Sequence, residues 1–216
     1  MPLYRQIGDV CSMSRFRLLL MGLFAALMVG AVVSASASAL VYLVGSMEVL
    51  AGEKFLTLSE QLSNAVFKIT GANVQVTCTK TKDTGFIEAG GLSSDLISFS
   101  GCSVQKPNST CKVIEPIHME VHGQLVTEEG KTLDSLTSAS GAALTTLHFT
   151  NCSLEELLVE GMLRASVATL TMQLKNTLKS INNAPVGLLE SGLGNMTLTF
   201  EEDVWLENDE NWGVID

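Results

Sequence analysis

Between residues 113 and 126 the side chains change character at every second position. Val113, Ile117, Met119, Val121, Gly123 and Leu125 share one phase, interrupted by Glu115, while His118, Glu120, His122 and Gln124 occupy the other. A period of two sends alternate side chains to opposite faces of an extended chain, so this segment reads as a half-buried strand. The same phase recurs at Val74, Val76 and Cys78 against Gln75, Thr77 and Thr79, and in 195–206 through Met196, Leu198 and Phe200. Turn signals separate these runs at Lys82-Asp83-Thr84-Gly85, Ala89-Gly90-Gly91, Glu128-Glu129-Gly130-Lys131 and Asn182-Asn183-Ala184-Pro185. Strands at short, fairly even spacing predict an all-β fold, an antiparallel β-sandwich or barrel, rather than βαβ units.

Two segments satisfy more than one period. Residues 153–165 open with the capping-box pattern Ser153-Leu154-Glu155-Glu156 and place Leu154, Leu157, Leu158, Gly161 and Met162 on one helical stripe. They also alternate, with Leu157, Val159, Leu163, Ala165 and Val167 opposite Glu160, Arg164 and Ser166, and the longer alternation favours a strand. Residues 170–180 offer a short helix on Leu170, Leu174 and Leu178. One short helix near 153–180 is therefore an open alternative within the all-β reading.

The N-terminus addresses the chain. Arg5, Arg15 and Arg17 precede a 16-residue uncharged apolar run, Leu18 to Val33, and Ser34 to Ala39 then offers two overlapping A-x-A sites, after Ala37 or after Ala39. That is the layout of a secretory signal peptide over residues 1–39. Apolar character resumes through Val44, so residues 18–44 are also long enough for an uncleaved anchor. In both cases residues after about 40 form a single exported domain, 40–216, secreted or extracytoplasmic, with the basic flank left inside.

Five cysteines become an even set on this reading. Cys11 lies before the apolar run, which leaves Cys78, Cys102, Cys111 and Cys152 in an oxidising compartment, where four cysteines read as two disulfides with three pairings. Cys102–Cys111 around Lys106-Pro107-Asn108-Ser109, together with Cys78–Cys152 between distant strands, is the expected pairing. No C-x-x-C pair supports a zinc ribbon or a thioredoxin-like site.

Charge narrows the partners. The formal net charge is −10, and losing three arginines and one aspartate with the leader leaves −12 on residues 40–216. Nucleic acid is excluded as a partner, since phosphate contacts need clustered Lys and Arg, and an anionic membrane surface is disfavoured. A membrane is then contacted only through the N-terminal segment if it is uncleaved. Glu201, Glu202, Asp203, Glu207, Asp209, Glu210 and Asp216 crowd the last sixteen residues without a basic neighbour. They lack calcium-loop spacing and read as a solvated strand face and tail.

Several pieces together resemble a known group. Tyr42-x-Val44-Gly45, Val76-Thr77-Cys78-Thr79-Lys80, Phe99-Ser100-Gly101-Cys102, Phe149-Thr150-Asn151-Cys152 and Trp212-Gly213-Val214 are similar to the motifs of uncharacterised exported β-domain proteins abundant in actinobacteria. Tyr42 stands where that group carries Trp. The resemblance spans most of residues 40–216 and implies an exported, disulfide-bearing β domain, with no mechanism attached. Within it, Asp95–Ser103 (DLISFSGCS) matches Thr145–Ser153 (TTLHFTNCS) at an offset of 50, each a strand with a core aromatic running into a cysteine-bearing turn.

Catalytic signatures are missing. The sequence has no G-x-S-x-G elbow, H-E-x-x-H, Walker loop or G-x-G-x-x-G, and the glycines of Gly192-Leu193-Gly194 read as a hairpin tip. His118 and His122, with Glu120 between them, would share a helical face, but on a strand they stand about 13 Å apart, too far for one ion. His148 reads as a surface residue. Glu128/Glu129 and Glu201/Glu202 are adjacent and so point to opposite strand faces, which makes poor glycosidase dyads. Sequons occur at Asn108, Asn151 and Asn195. No cofactor and no metal site is expected. The expected role is a non-enzymatic envelope or secreted β domain, structural or bound to a protein or envelope partner. The alternative is an apolar-ligand carrier with a barrel cavity lined by Met119, Met162, Met172 and Leu174.

Overall fold

A computed structural model describes residues 40–70, 73–106, 110–167, 172–181, 189–191 and 193–215. Residues 1–39, with the expected signal segment and Cys11, residues 107–109 and the expected turn at 182–185 lie outside the described residues, as do Leu170 and Gly192.

In chain order the strands are β1 (Val41–Val44), β2 (Met47–Glu48), β3 (Lys54–Ile69), β4 (Val74–Glu88), β5 (Leu92–Lys106), β6 (Lys112–Val113), β7 (Ile117–Glu128), β8 (Lys131–Ser138), β9 (Thr145–Thr150), β10 (Glu156–Ser166), β11 (Asn176–Ile181), β12 (Leu189–Ser191), β13 (Gly194–Leu206) and β14 (Trp212–Ile215). Of the sandwich and the barrel, the chain forms the barrel. Eight antiparallel strands close in the order β13-β3-β4-β5-β7-β8-β10-β11, and β11 pairs back onto β13. A separate sheet, β14-β1-β2, covers one mouth. Among the described residues the sole helical element is a single 3-10 turn at Ala89–Gly91.

The helix alternative near 153–180 is overturned in the described residues. Glu156–Ser166 is strand β10, and Asn176–Ile181 is strand β11. The alternation wins in β10 because Leu157, Val159, Leu163 and Ala165 are all buried in the barrel. Gly161, at φ 104°, lets the strand change partners, from β9 before it to β8 and β11 after it. A second correction concerns Lys82 to Gly85, which is no turn but lies within β4, since its alternation continues unbroken from Thr81 through Asp83 and Gly85 to Ile87. The turns at 89–91 and 128–131 form as expected. Glu129 and Gly130 adopt φ 51° and 73°, the left-handed pair that a tight two-residue hairpin requires.

The single run 113–126 is divided. The cis peptide Glu115–Pro116 separates β6 from β7, and Glu115, the exception to the alternation, turns its carboxylate back to accept hydrogen bonds from Gly101 N (2.6 Å) and Cys102 N (2.8 Å). Gly101 and Cys102 lie inside the continuous strand β5 and not in a turn. Asn151 does sit in a bend after β9, yet Gly101 at φ 62° and Asn151 at φ 55° share one left-handed conformation ahead of their cysteines. The two F-x-[G/N]-C motifs are thus locally alike.

Inward side chains form two apolar clusters along the barrel axis. The larger contains Phe67, Phe99 and Phe200 with Val76, Met119, Leu147, Leu163 and Leu198, all nearly inaccessible. Phe67 and Phe99 meet edge to face at 5.0 Å. Burial of each such ring contributes about 1.5–3 kcal/mol. The second cluster joins the covering sheet to the barrel: Leu40, Tyr42, Val44, Val49, Trp212 and Val214 pack on Ile87, Leu125, Val167, Val204 and Leu206.

Two disulfides form from the expected four cysteines, but the pairing is corrected. Cys78 joins Cys102, and Cys111 joins Cys152, with sequence separations of 24 and 41. Register decides it: Cys78 on β4 lies directly opposite Cys102 on β5, which leaves Cys111, beside β6, to reach the bend after β9 through the β6–β9 pairing. Loops of these lengths stabilise by about 3–4 kcal/mol each in the chain-entropy account.

Candidate functional site

Between the two apolar clusters the barrel carries a polar layer. Along β13, inward positions run Met196, Leu198, Phe200, Glu202, Val204 and Leu206, and Glu202 is 1% exposed. The same level is reached on β4 by Asp83, on β5 by Ser93 and Asp95, on β8 by Asp134 and on β3 by Thr57 and Ser59. Asp83, Asp95, Asp134 and Glu202 all line one cavity of about 30 Å3, together with Tyr42, Thr57, Ser93 and Trp212. That volume holds about two waters.

Two inward glycines make room for these carboxyls. A Cβ on Gly85 would overlap the Asp95 carboxyl and the Ser94 carbonyl oxygen, and one on Gly123 would meet Ser93 Oγ and, at 2.5 Å, Asp134 Oδ1. Ser93 Oγ lies 2.8 Å from Asp95 Oδ2 and 3.4 Å from Asp134 Oδ2. From the covering sheet, the Tyr42 hydroxyl points down to donate to Asp134 Oδ2 at 3.4 Å. The wall is irregular beside Asp83. The β3–β4 ladder lapses between Leu58 and Ala65, where Ser59 Oγ accepts from Asp83 N (2.8 Å) and Gln61 Oε1 from Thr81 N (2.6 Å) in place of backbone bonds.

Among the described residues no Lys, Arg or His lines the cavity. Arg164 favours the charged form of Asp134 while its Nη2 bonds Glu128 Oε1 at 2.5 Å, and its Nε and Nη1 are buried without a hydrogen-bond partner. Asp83 Oδ1, Asp134 Oδ1 and Glu202 Oε2 are buried without a hydrogen-bond partner. A buried carboxylate without a counter-charge is strongly disfavoured, so such groups hold their protons. Burial, then the Asp134 charge, pushes Asp95 up to about 7, with the Ser93 hydroxyl opposing. Burial raises Glu202 to about 7 against a hydrogen bond from Ser59. Asp134 rises to about 6 by burial, held back by bonds from Ser93 and Tyr42. Asp83 lies well above the usual carboxylate range through burial and then the charges of Asp95 and Glu202. Tyr42 is likewise raised, by burial and then by Asp134. Four acids raised in this way can hold protons above the usual carboxylate range; among the described residues no group of three or more His, Cys, Asp or Glu side chains has a geometry that would hold a metal ion.

The residues singled out from sequence lie elsewhere. His118, Glu120 and His122 are exposed on the outer face of β7, with His118 Nδ1 3.0 Å from Ser98 Oγ. His148 sits on β9, 3.9 Å from Glu156, and does not join them. Glu201 faces outward near Lys179 (3.4 Å) while Glu202 faces inward, so the reading of Glu202 as part of a solvated face is overturned. Its phase with Leu198 and Phe200 is the signal that places it inside. The carrier residues are dispersed: Met119 is in the large cluster, Met162 faces outward against Ser135 Oγ (3.1 Å), and Leu174 is exposed.

Fold and site together define a class, a closed eight-stranded antiparallel barrel with a capped mouth and an acidic layer inside. Compared with protein-family models, curated proteins and solved structures, the chain matches none.

Proposed function

We propose that residues 40–216 are an exported, disulfide-locked barrel that works outside the cytoplasm through its outer surface, as a non-enzymatic partner-binding or structural domain. The observation that carries this reading is the filled interior. A cavity of about 30 Å3 is far below the roughly 300 Å3 or more of small-molecule sites. Two intramolecular disulfides fit an extracytoplasmic protein. The likeness to exported actinobacterial β-domain proteins points the same way. Strand-centre charges such as Lys80, Lys82, Glu120 and Glu160 face outward, where a membrane-spanning barrel would present apolar residues to lipid. On this outer face Phe86 and Leu96, each 39% exposed, border a groove of about 270 Å3 that Glu120 and His122 also line. A protein partner with an apolar side chain beside a basic one fits that surface.

Mass analysis of the exported chain tests the address: a mature N-terminus at Ser38 or Leu40 is expected, and an intact Met1 with free thiols defeats it. Photo-crosslinking from positions 86 and 96 tests the surface. Adducts that vanish when crosslinkers are moved to Lys68 support it; equal labelling from both faces defeats it.

A further inference from the structure

The polar layer has an apolar cluster on either side, and the two differ in how they are held. On the Phe67–Phe99–Phe200 side every member belongs to the barrel and its connections, with the Cys78–Cys102 disulfide within the cluster. On the other side Tyr42, Val44, Trp212 and Val214 come from the β14-β1-β2 sheet and Leu40 and Val49 from its flanks; the strands of that sheet are two to four residues long and lie outside the barrel ladder. Polar contacts among the described residues tie that sheet to the barrel. Asn176 Nδ2 donates to Trp212 O (2.9 Å), Trp212 Nε1 donates to Val204 O (3.2 Å), and Gln173 and Trp212 exchange backbone bonds at 3.1 and 2.9 Å. A further contact is Tyr42 to Asp134, made on one of the acids themselves.

We propose that the β14-β1-β2 sheet is a proton-operated latch, closed over the barrel mouth while Asp83, Asp95, Asp134 and Glu202 hold their protons and released when they ionise. The titratable groups facing the cavity are Asp83 from β4, Asp95 from β5, Asp134 from β8, Glu202 from β13 and Tyr42 from the latch. The described parts of β3, β7, β11 and β14 bring to this level Thr57 and Ser59, Gly123, Leu178 and Trp212, none of them charged at neutral pH. Arg164 of β10 is engaged by Glu128. Loss of protons therefore adds mutually repelling charge among four acids, against which the lining described for the cavity sets no cation, Arg164 favouring ionised Asp134 from outside that lining. A buried carboxylate seeks water, and lifting the short sheet hydrates the layer without breaking the closed barrel ladder. Asp134, Asp95 and Glu202 gather their charge between about pH 6 and 7, while burial and the neighbouring acids hold Asp83 well above the usual carboxylate range.

Trp212 reports the latch directly, being 2% exposed and 6.2 Å from the Tyr42 ring. The chain has two tryptophans, so the oxidised full-length protein carrying Trp205→Phe isolates its emission. From pH 5 to pH 8 the emission is expected to shift red. Amide exchange at Tyr42 to Val44, corrected for its intrinsic pH dependence, should accelerate at least tenfold while β4 and β5 amides around Val76 and Phe99 stay protected. Asp134→Asn combined with Glu202→Gln should hold the latch closed at pH 8. An unchanged emission across this range overturns the proposal. So does simultaneous loss of protection in latch and barrel, which is plain unfolding. A red shift abolished at pH 8 by millimolar calcium also overturns it, because the cavity would then be a cation site.

Discussion

Gly85 and Asp95 face each other across β4 and β5, and the carboxyl of Asp95 occupies the space that a side chain on Gly85 would need. This local exchange, repeated by Gly123 with Ser93 and Asp134, admits carboxyls into a barrel otherwise filled by Phe, Leu and Val. The glycines are present for volume, and φ plays no part at either position.

Gly85→Ala therefore overpacks the acidic layer against backbone as well as side chain. A loss of about 1–3 kcal/mol in urea unfolding is expected. Gly85→Ala with Asp95→Gly should recover part of it, which separates the steric effect from a strand-wide one.

Stability should be highest in acid. The folded-state values of Asp134, Asp95 and Glu202, about 6, 7 and 7, exceed those of an unfolded carboxyl near 4. The unfolded chain thus loses its protons first, and unfolding becomes easier as pH climbs from about 4 through 7. Chemical denaturation at pH 4.5 and pH 8 should differ by roughly several kcal/mol. Asp134→Asn should flatten the slope and raise stability at pH 8; a curve rising with pH would contradict the buried acidic layer.

Non-reducing peptide mapping should recover Cys78 with Cys102 and Cys111 with Cys152. Removing either pair as a double alanine variant should cost about 3–4 kcal/mol. A Cys102–Cys111 peptide would refute the strand register around β4 and β5.

Glu115 holds two amides at the β5 irregularity. Glu115→Ala should destabilise by roughly 1–2 kcal/mol in thermal or urea unfolding, with Glu115→Gln losing less because one acceptor oxygen remains. Equal loss in both variants would point to the charge and not to the hydrogen bonds.

What lies within one strand was legible. The alternations at 74–78, 113–126 and 195–206 place Val76, Met119 and Phe200 inside as the period of two demands, because strand phase is a property of neighbouring residues. The four cysteines that follow the N-terminal apolar run likewise sufficed for two disulfides. Glu202 could have been placed inside by extending the Met196–Phe200 phase two residues further, but a run of acids near the C-terminus reads as solvated when only composition is weighed.

Residue order alone carries the strand periodicity, the inward phase of Val76, Met119 and Phe200, and an even set of four cysteines beyond Cys11. Folding in three dimensions is what closes the sheet into a barrel, sets Cys78 opposite Cys102, and gathers Asp83, Asp95, Asp134 and Glu202 in one cavity beneath Tyr42. The physical reason is range. Alternation is set by the pleat over a few residues, whereas which strands adjoin, and at what register, is set by closure of the whole barrel. Acids far apart in sequence come to the same level only after that closure, and their protons are then held by a burial that no single strand possesses.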